Sequence, residues 1–201
     1  MKIRVLFATA LFVLCTSAFA QEAEKKGMSA ADQKAAQDAM MKAIMPGEGH
    51  KLLDGMVGMW DAKVTMWMDP SQPPQVSAGT SENSWVLGNR EVMEKFNGTF
   101  MGMPFSGIGY TGYDNMKKQY WGTWMDTMST APMTSTGKTD DGGKTWMFNT
   151  SMPDPMSGKD APVTQKLTVT DKDHHTLEMW TPGPDGKMFK MMEIVYTRKK
   201  A

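Results

Sequence analysis

The stretch "GMWDAKVTMWM", residues 58–68, alternates between apolar and polar side chains from Trp60 to Met66. Counting by two puts Trp60, Ala62, Val64, Met66 and Met68 on one face and Asp61, Lys63, Thr65 and Trp67 on the other, the period of a β-strand with one oily and one wet side. Working outward, further strands read at 76–87, 90–101, 104–113, 117–126, 131–139, 144–152, 162–170, 174–181 and 187–197. Turn signals separate them, among them Asp69-Pro70, Gly88-Asn89, Asp114-Asn115, Asp140-Asp141-Gly142-Gly143 and Pro184-Asp185-Gly186. No helical pattern between them is long enough for a parallel crossover, so neighbours join as antiparallel hairpins. An open sheet of that size would expose two edges, and curling shut removes them. The expected fold is all-β, an antiparallel up-and-down β-barrel of about ten strands. A two-sheet sandwich is the competing arrangement. Gly102, Gly107, Gly109 and Gly112 punctuate "GTFMGMPFSGIGYTGYDN", residues 98–115, and are read as sites of sharp bending or close approach, chiefly as curvature.

Before the barrel the texture differs. Residues 1–20 read as a signal peptide: Lys2 and Arg4, the apolar run from Val5 to Cys15, then the small-x-small site Ala18-Phe19-Ala20. Cleavage after Ala20 would deliver a periplasmic or secreted protein. The apolar run falls short of the roughly 20 residues a spanning helix needs, and no later segment is longer, so no membrane span is expected. Leu14 stands where a lipoprotein would carry a small residue before Cys15. Residues 21–28 form a charged tether and residues 29–45 an N-terminal helix, with Ser29 and Asp32 placed as a capping box and Pro46-Gly47 as its stop. The helix stripe of Ala35, Ala36, Ala39, Met40, Ala43 and Ile44 is mostly alanine. A second short helical turn is expected over Glu48 to Met56, with Leu52, Leu53 and Met56 on one side. The barrel domain then occupies residues 46–201.

Composition narrows the chemistry. The sequence holds 23 Met and a single Cys, which leaves with the signal peptide, so the mature chain has no disulfide and no thiol. Losing Lys2 and Arg4 as well leaves 20 basic against 22 acidic side chains, a balance that points to no nucleic-acid partner. No zinc helix, nucleophile elbow or phosphate loop is present. Ser135-Thr136-Gly137-Lys138 matches a bare Ser-x-x-Lys pattern, but on a strand those two side chains point to opposite faces. No catalytic residue, metal ligand or cofactor is therefore assigned.

Three long segments carry a resemblance: "PGEGHKLLDGMVGMWDAKVTMWMDP" (46–70), "FMGMPFSGIGYTGYDNMKKQYWGTWMDTMST" (100–130) and "GPDGKMFKMMEIVYTRK" (183–199). Together they resemble the bacterial family catalogued as domain of unknown function 1579, over about Pro46 to Lys199. The resemblance implies a calycin-like barrel, often exported, without a settled activity. Gly58-Met59-Trp60 after a short helix is also similar to the lipocalin and nitrobindin signature, which implies that Trp60 plugs one end beneath a basic residue of the last strand, here Arg198. Nitrobindin-like barrels hold haem through a histidine. Here His174-His175 reads as an exposed hairpin tip beside Asp171-Lys172-Asp173, and His50 as a cap or a surface hydrogen bond, so haem is not expected.

The methionines leave three readings open. Thioethers fill irregular core space; they also adapt to ligands, in which case Trp60, Met66, Met68, Trp124 and Phe148 would line a cavity for a small apolar molecule. Third, pairs such as Met66/Met68, Met101/Met103, Met125/Met128 and Met188/Met191 could hold Cu(I) or scavenge oxidants. Their spread along the chain suits filler best. A ligand-free interaction module, docking through the N-terminal helix or through exposed Trp67 and Trp121, is a further class.

Overall fold

The computed structural model describes residues 27–154, 158–183 and 185–200; the signal-peptide reading of 1–20 and most of the tether fall outside them. The described chain divides at Met45/Pro46 into two compact units. The first is helix α1, Ala30–Ile44. Its capping box closes as read: the Asp32 amide donates to Ser29 Oγ at 3.2 Å and the Ser29 amide to Asp32 Oδ2 at 3.3 Å, satisfying two amides that a helix start leaves unpaired.

The second unit begins with a short helix α2, Glu48–Lys51, and a 3-10 turn, Asp54–Met56. Ten strands follow: β1 Gly58–Met66, β2 Gln75–Val86, β3 Glu91–Phe100, β4 Met103–Asp114, β5 Gln119–Asp126, β6 Met133–Lys138, β7 Thr145–Asp154, β8 Lys159–Asp171, β9 His174–Pro182 and β10 Met188–Arg198. Every strand pairs antiparallel with its sequence neighbours, and β1 pairs with β10 from Trp60↔Arg198 to Met66↔Met192, so the sheet closes on itself and has no edge. The barrel, not the sandwich, is the fold. Irregular register at Lys190/Met192 and at Val169/Asp171 breaks the ladders of β9 with β10 and with β8.

Two apolar clusters lie inside. One gathers Leu53 and Met56 from the pre-strand turns with Val92, Tyr120, Trp146 and Phe148, and so stoppers one end. Leu53 is fully buried, whereas Leu52, expected beside it, is exposed. The other gathers Trp60, Ala62, Val64, Phe96, Ile194 and Tyr196 on the β1 side. The glycines of β4 do something other than bend it. A Cβ on Gly107 would run into the Trp124 ring and one on Gly109 would crowd it; on the outer face Gly112 does the same for Trp121. Gly107, Gly109 and Gly112 are therefore places of close approach, and Gly102 alone serves a turn, at φ +78°.

Candidate functional site

The closed end is built around Gly58-Met59-Trp60. Gly58 sits at φ +140°, a backbone that side chains rarely adopt, and a Cβ there would strike Arg198 Nη1. Trp60, 1 % exposed, donates its indole N–H to Met56 O at 3.0 Å. The Arg198 guanidinium lies 4.0 Å from the Trp60 ring centroid and donates to Val57 O at 2.7 Å, Gly55 O at 3.1 Å and Lys172 O at 2.8 Å. One planar fork thus ties the last strand to the chain before the first and to the β8–β9 turn. Trp60 and Arg198 thus face each other at the closed end. Trp60 does not, however, line the cavity above it: it occupies the first inward position of β1, level with Arg198, and is sealed under the floor.

Above that seal the barrel encloses a cavity of about 740 Å³, open at the opposite end. This lies within the usual range of roughly 300–1,000 Å³ for small-molecule sites. Met66, Trp124 and Phe148 line it. Met68 does not. β1 stops at Met66, the Asp69 carboxylate accepts from the Ser71 amide at 2.8 Å to form the next turn, and Met68 is left 65 % exposed. Alternation predicts a face only while the backbone stays extended. Trp124 lies flat against Gly107 and Gly109 and donates to Asp126 Oδ2 at 2.8 Å.

Among the described residues eight methionines line the cavity, including Met66, Met133, Met152, Met191 and Met192 toward the mouth. Among the described residues Met56 and Met179 belong to the buried core, and Met66 and Met192 pack against it. Of the proposed pairs, Met188 is exposed while Met191 lines the cavity, Met125 and Met128 are both exposed with Met128 bordering the mouth, and Met101 and Met103 are both exposed. A different set lies side by side, since Met66 is registered with Met192 and Met192 with Met179, all on the cavity wall.

The floor is polar, and sequence reasoning missed it. Glu94 lies between Val92 and Phe96 on the inner face of β3, partly exposed where it borders the cavity. Its Oε1 lies 2.7 Å from Ser81 Oγ and accepts from the Tyr196 hydroxyl at 3.3 Å. Ser81 Oγ is also 2.6 Å from Asn83 Oδ1, and Asn83 Nδ2 donates to Met56 O at 3.0 Å. Burial pushes the Glu94 carboxyl above the ordinary carboxylate range, against the pull of the Ser81 and Tyr196 hydrogen bonds. The signal available in the sequence was a carboxylate in the inward phase of Val92-x-Glu94-x-Phe96.

His175 also borders the floor, which corrects its reading as an exposed tip. It is 5 % exposed, stacked on Tyr196 with centroids 4.4 Å apart and edge-on to Trp60 at 4.3 Å. Burial, with the nearby Arg198 charge second, lowers its pKa to about 4, so it is neutral at pH 7. Only His174 is at the tip, its Nδ1 2.8 Å from Asp171 Oδ1. His50 is buried and caps α2, its Nδ1 accepting from the Gly47 amide at 3.1 Å. A haem iron needs a ring nitrogen standing clear of the wall with a porphyrin beside it. His175 is the histidine on the cavity and is clamped between two rings, so the donors do not fit haem. Among the described residues no group of three His, Cys, Asp or Glu could hold a metal ion, and no helix is long and apolar enough to cross a membrane.

No curated protein sequence matches the chain. Among solved structures, Rv2717c from M. tuberculosis superposes with a TM-score of 0.58 at 12 % identity, covering 78 % of this chain and all of that one, which shows a shared fold. Two redesigned β-barrels resemble it more loosely at 18 % identity and 76 % coverage of this chain. They are b11L5F_LGL, covered over 96 % at a TM-score of 0.40, and mFAP1 bound to DFHBI, covered over 100 % at 0.39. The model of the protein family of unknown function DUF1579 matches residues 45–198 and thus the whole barrel with its plugged end: the chain belongs to that family.

Proposed function

We propose that this barrel is an exported binding protein that holds a small apolar or amphipathic molecule without transforming it. The observation that carries the reading is the large interior space of about 740 Å³, walled by thioethers and aromatic rings and sealed at one end by Trp60 and Arg198. Thioether walls adapt to a guest's shape, and a plugged barrel offers one way in. Export rests on residues 1–20. The test is native mass spectrometry of the protein purified from its own cell envelope. A reproducible organic adduct, lost when Thr111→Trp fills the interior of a still-folded barrel, supports the carrier role; an empty protein from every preparation overturns it.

A second reading has its own observation, the row Met66, Met192 and Met179 on three adjacent strands. Cross-strand partners stand about 5 Å apart at Cβ, near enough for three thioethers to reach one soft Cu(I) ion. Cu(I) bound at one equivalent and lost in Met66→Leu with Met192→Leu would favour this reading over the carrier.

A further inference from the structure

The cavity carries an asymmetry of charge. Its ionisable lining consists of Glu94, Asp126, Asp160, His175 and Tyr196; no lysine or arginine among the described residues reaches it, although the sequence has as many basic as acidic residues. His175 is neutral, and its neighbouring cation, Arg198, is engaged beneath the floor by three carbonyls. No lysine or arginine among the described residues lies inside to offset a negative charge on the wall.

Glu94 is where this matters most. Asn83 must turn its amide nitrogen to Met56 O, so its oxygen faces Ser81 Oγ. Ser81 then stands between two acceptors, Asn83 Oδ1 and Glu94 Oε1, with one hydroxyl proton for both. The chain of contacts is complete only if Glu94 carries a proton of its own and gives it to Ser81, which gives its own to Asn83. Both contacts of Glu94, with Ser81 and with Tyr196, fall on Oε1. Oε2 has no donor among the described residues, and Glu94 borders the cavity. A guest therefore meets an acceptor at the floor, one proton away from being a full negative charge in a low-dielectric space that supplies no cation. An anionic head would face repulsion from Asp126 and Asp160 at entry and from Glu94 at the floor.

Resting on the carrier reading of this cavity, we infer that its ligand class is the cationic amphiphile: an apolar chain or ring system along the methionine and aromatic wall, ending in an ammonium or amidinium group seated on Glu94. On binding, the guest's N–H donates to Oε2, the Glu94 proton passes to solvent, and the carboxylate formed is neutralised by the guest. Ser81, Tyr196 and Asn83 remain neutral throughout, as does His175.

Titration calorimetry of the full-length chain tests this with three probes that share one tail, n-dodecylammonium, n-dodecanol and n-dodecanoate, each below its micellar concentration. The ammonium is expected to bind about tenfold or more tighter than the alcohol, and the carboxylate weakest. In buffers of differing ionisation enthalpy the ammonium releases about one proton and the alcohol none. Glu94→Gln abolishes both the proton release and the tenfold preference for the ammonium over the alcohol. Equal or tighter binding of n-dodecanoate, or ammonium binding without proton release, overturns the inference on the unmodified protein alone. Binding of n-dodecanol with no preference for the cation removes this inference and leaves the carrier reading standing. Failure of all three probes removes both.

Discussion

The two ends of the barrel are made from the same ten strands and solve opposite problems. At the closed end Trp60, Leu53 and Trp146 are essentially without exposed surface, the Trp60 indole and the Arg198 guanidinium find carbonyl partners, and His50 caps the short helix that covers the opening. Toward the mouth the wall carries Met66, Met133, Met152 and Met192, with Met128 53 % exposed at the rim. Rings and charge-assisted hydrogen bonds fix one geometry, whereas an unbranched thioether with three free torsions fits many. The lesson is that stability and adaptability are separated along the barrel axis: side chains that must not move seal one end, and side chains that can move surround the entrance.

Substitutions can break or sharpen that contrast. Trp60→Ala should cost about 3–5 kcal/mol, the usual penalty for emptying a buried aromatic site, and lower the thermal midpoint by on the order of 10 °C. A loss under about 1 kcal/mol in a denaturant titration would show that the seal is not where the stability resides.

Next comes acid sensitivity at the floor. His175 titrates at about 4 when folded against an ordinary 6.5, so its contribution is fully present above pH 6.5 and is lost as pH falls toward 4. At about 1.4 kcal/mol per unit the loss amounts to about 3 kcal/mol. Equilibrium unfolding across that window should show the slope in the wild type, and His175→Phe, which keeps the ring stack, should flatten it. Glu94 acts with the opposite sign: its raised folded pKa gives a contribution present below the ordinary carboxylate value and lost as pH rises through the folded one. Glu94→Gln should remove that alkaline-side decline.

Smaller again is Gly107→Ala, whose methyl meets the Trp124 ring and should cost about 1–3 kcal/mol with a shift in tryptophan emission. Unchanged emission would mean that the ring has room the structure does not show. Smallest is Met66→Leu with Met192→Leu, a volume-conserving change near the mouth that should alter stability by less than about 1.5 kcal/mol while changing which guests are held, as read by native mass spectrometry. A large loss of stability there would place the mouth among the rigid parts and erase the contrast.

Much of the barrel was legible because a strand with one wet face repeats every two residues, and Trp60 through Met66 keeps that period without a fault. The pattern misled where the backbone left the extended state. Met68 shares the phase of Met66 but lies past the strand end, and a turn signal ending at Asp173 drew His175 into the hairpin when it is the first inward residue of β9, opposite Tyr196. The glycines of β4 were legible as exceptions, not as to their reason: whether a missing side chain bends a strand or admits a neighbour depends on Trp124, registered against Gly109 from the next strand. Glu94 was in plain sight, yet its weight comes from Ser81 on β2 and Tyr196 on β10, far away in sequence.

By itself the order of side chains determined the local matters: alternating strands, the turns between them, the capped N-terminal helix and the Gly-x-Trp that opens β1, since each depends on neighbours within a few positions. Tertiary structure alone decided that a polar floor lies beneath an oily wall, that no lysine or arginine among the described residues reaches the cavity, and that Met66, Met192 and Met179 stand in a row. Those facts depend on barrel closure, which sets residues more than a hundred positions apart side by side, and on a cavity whose charge is a property of the enclosed space and of no single strand.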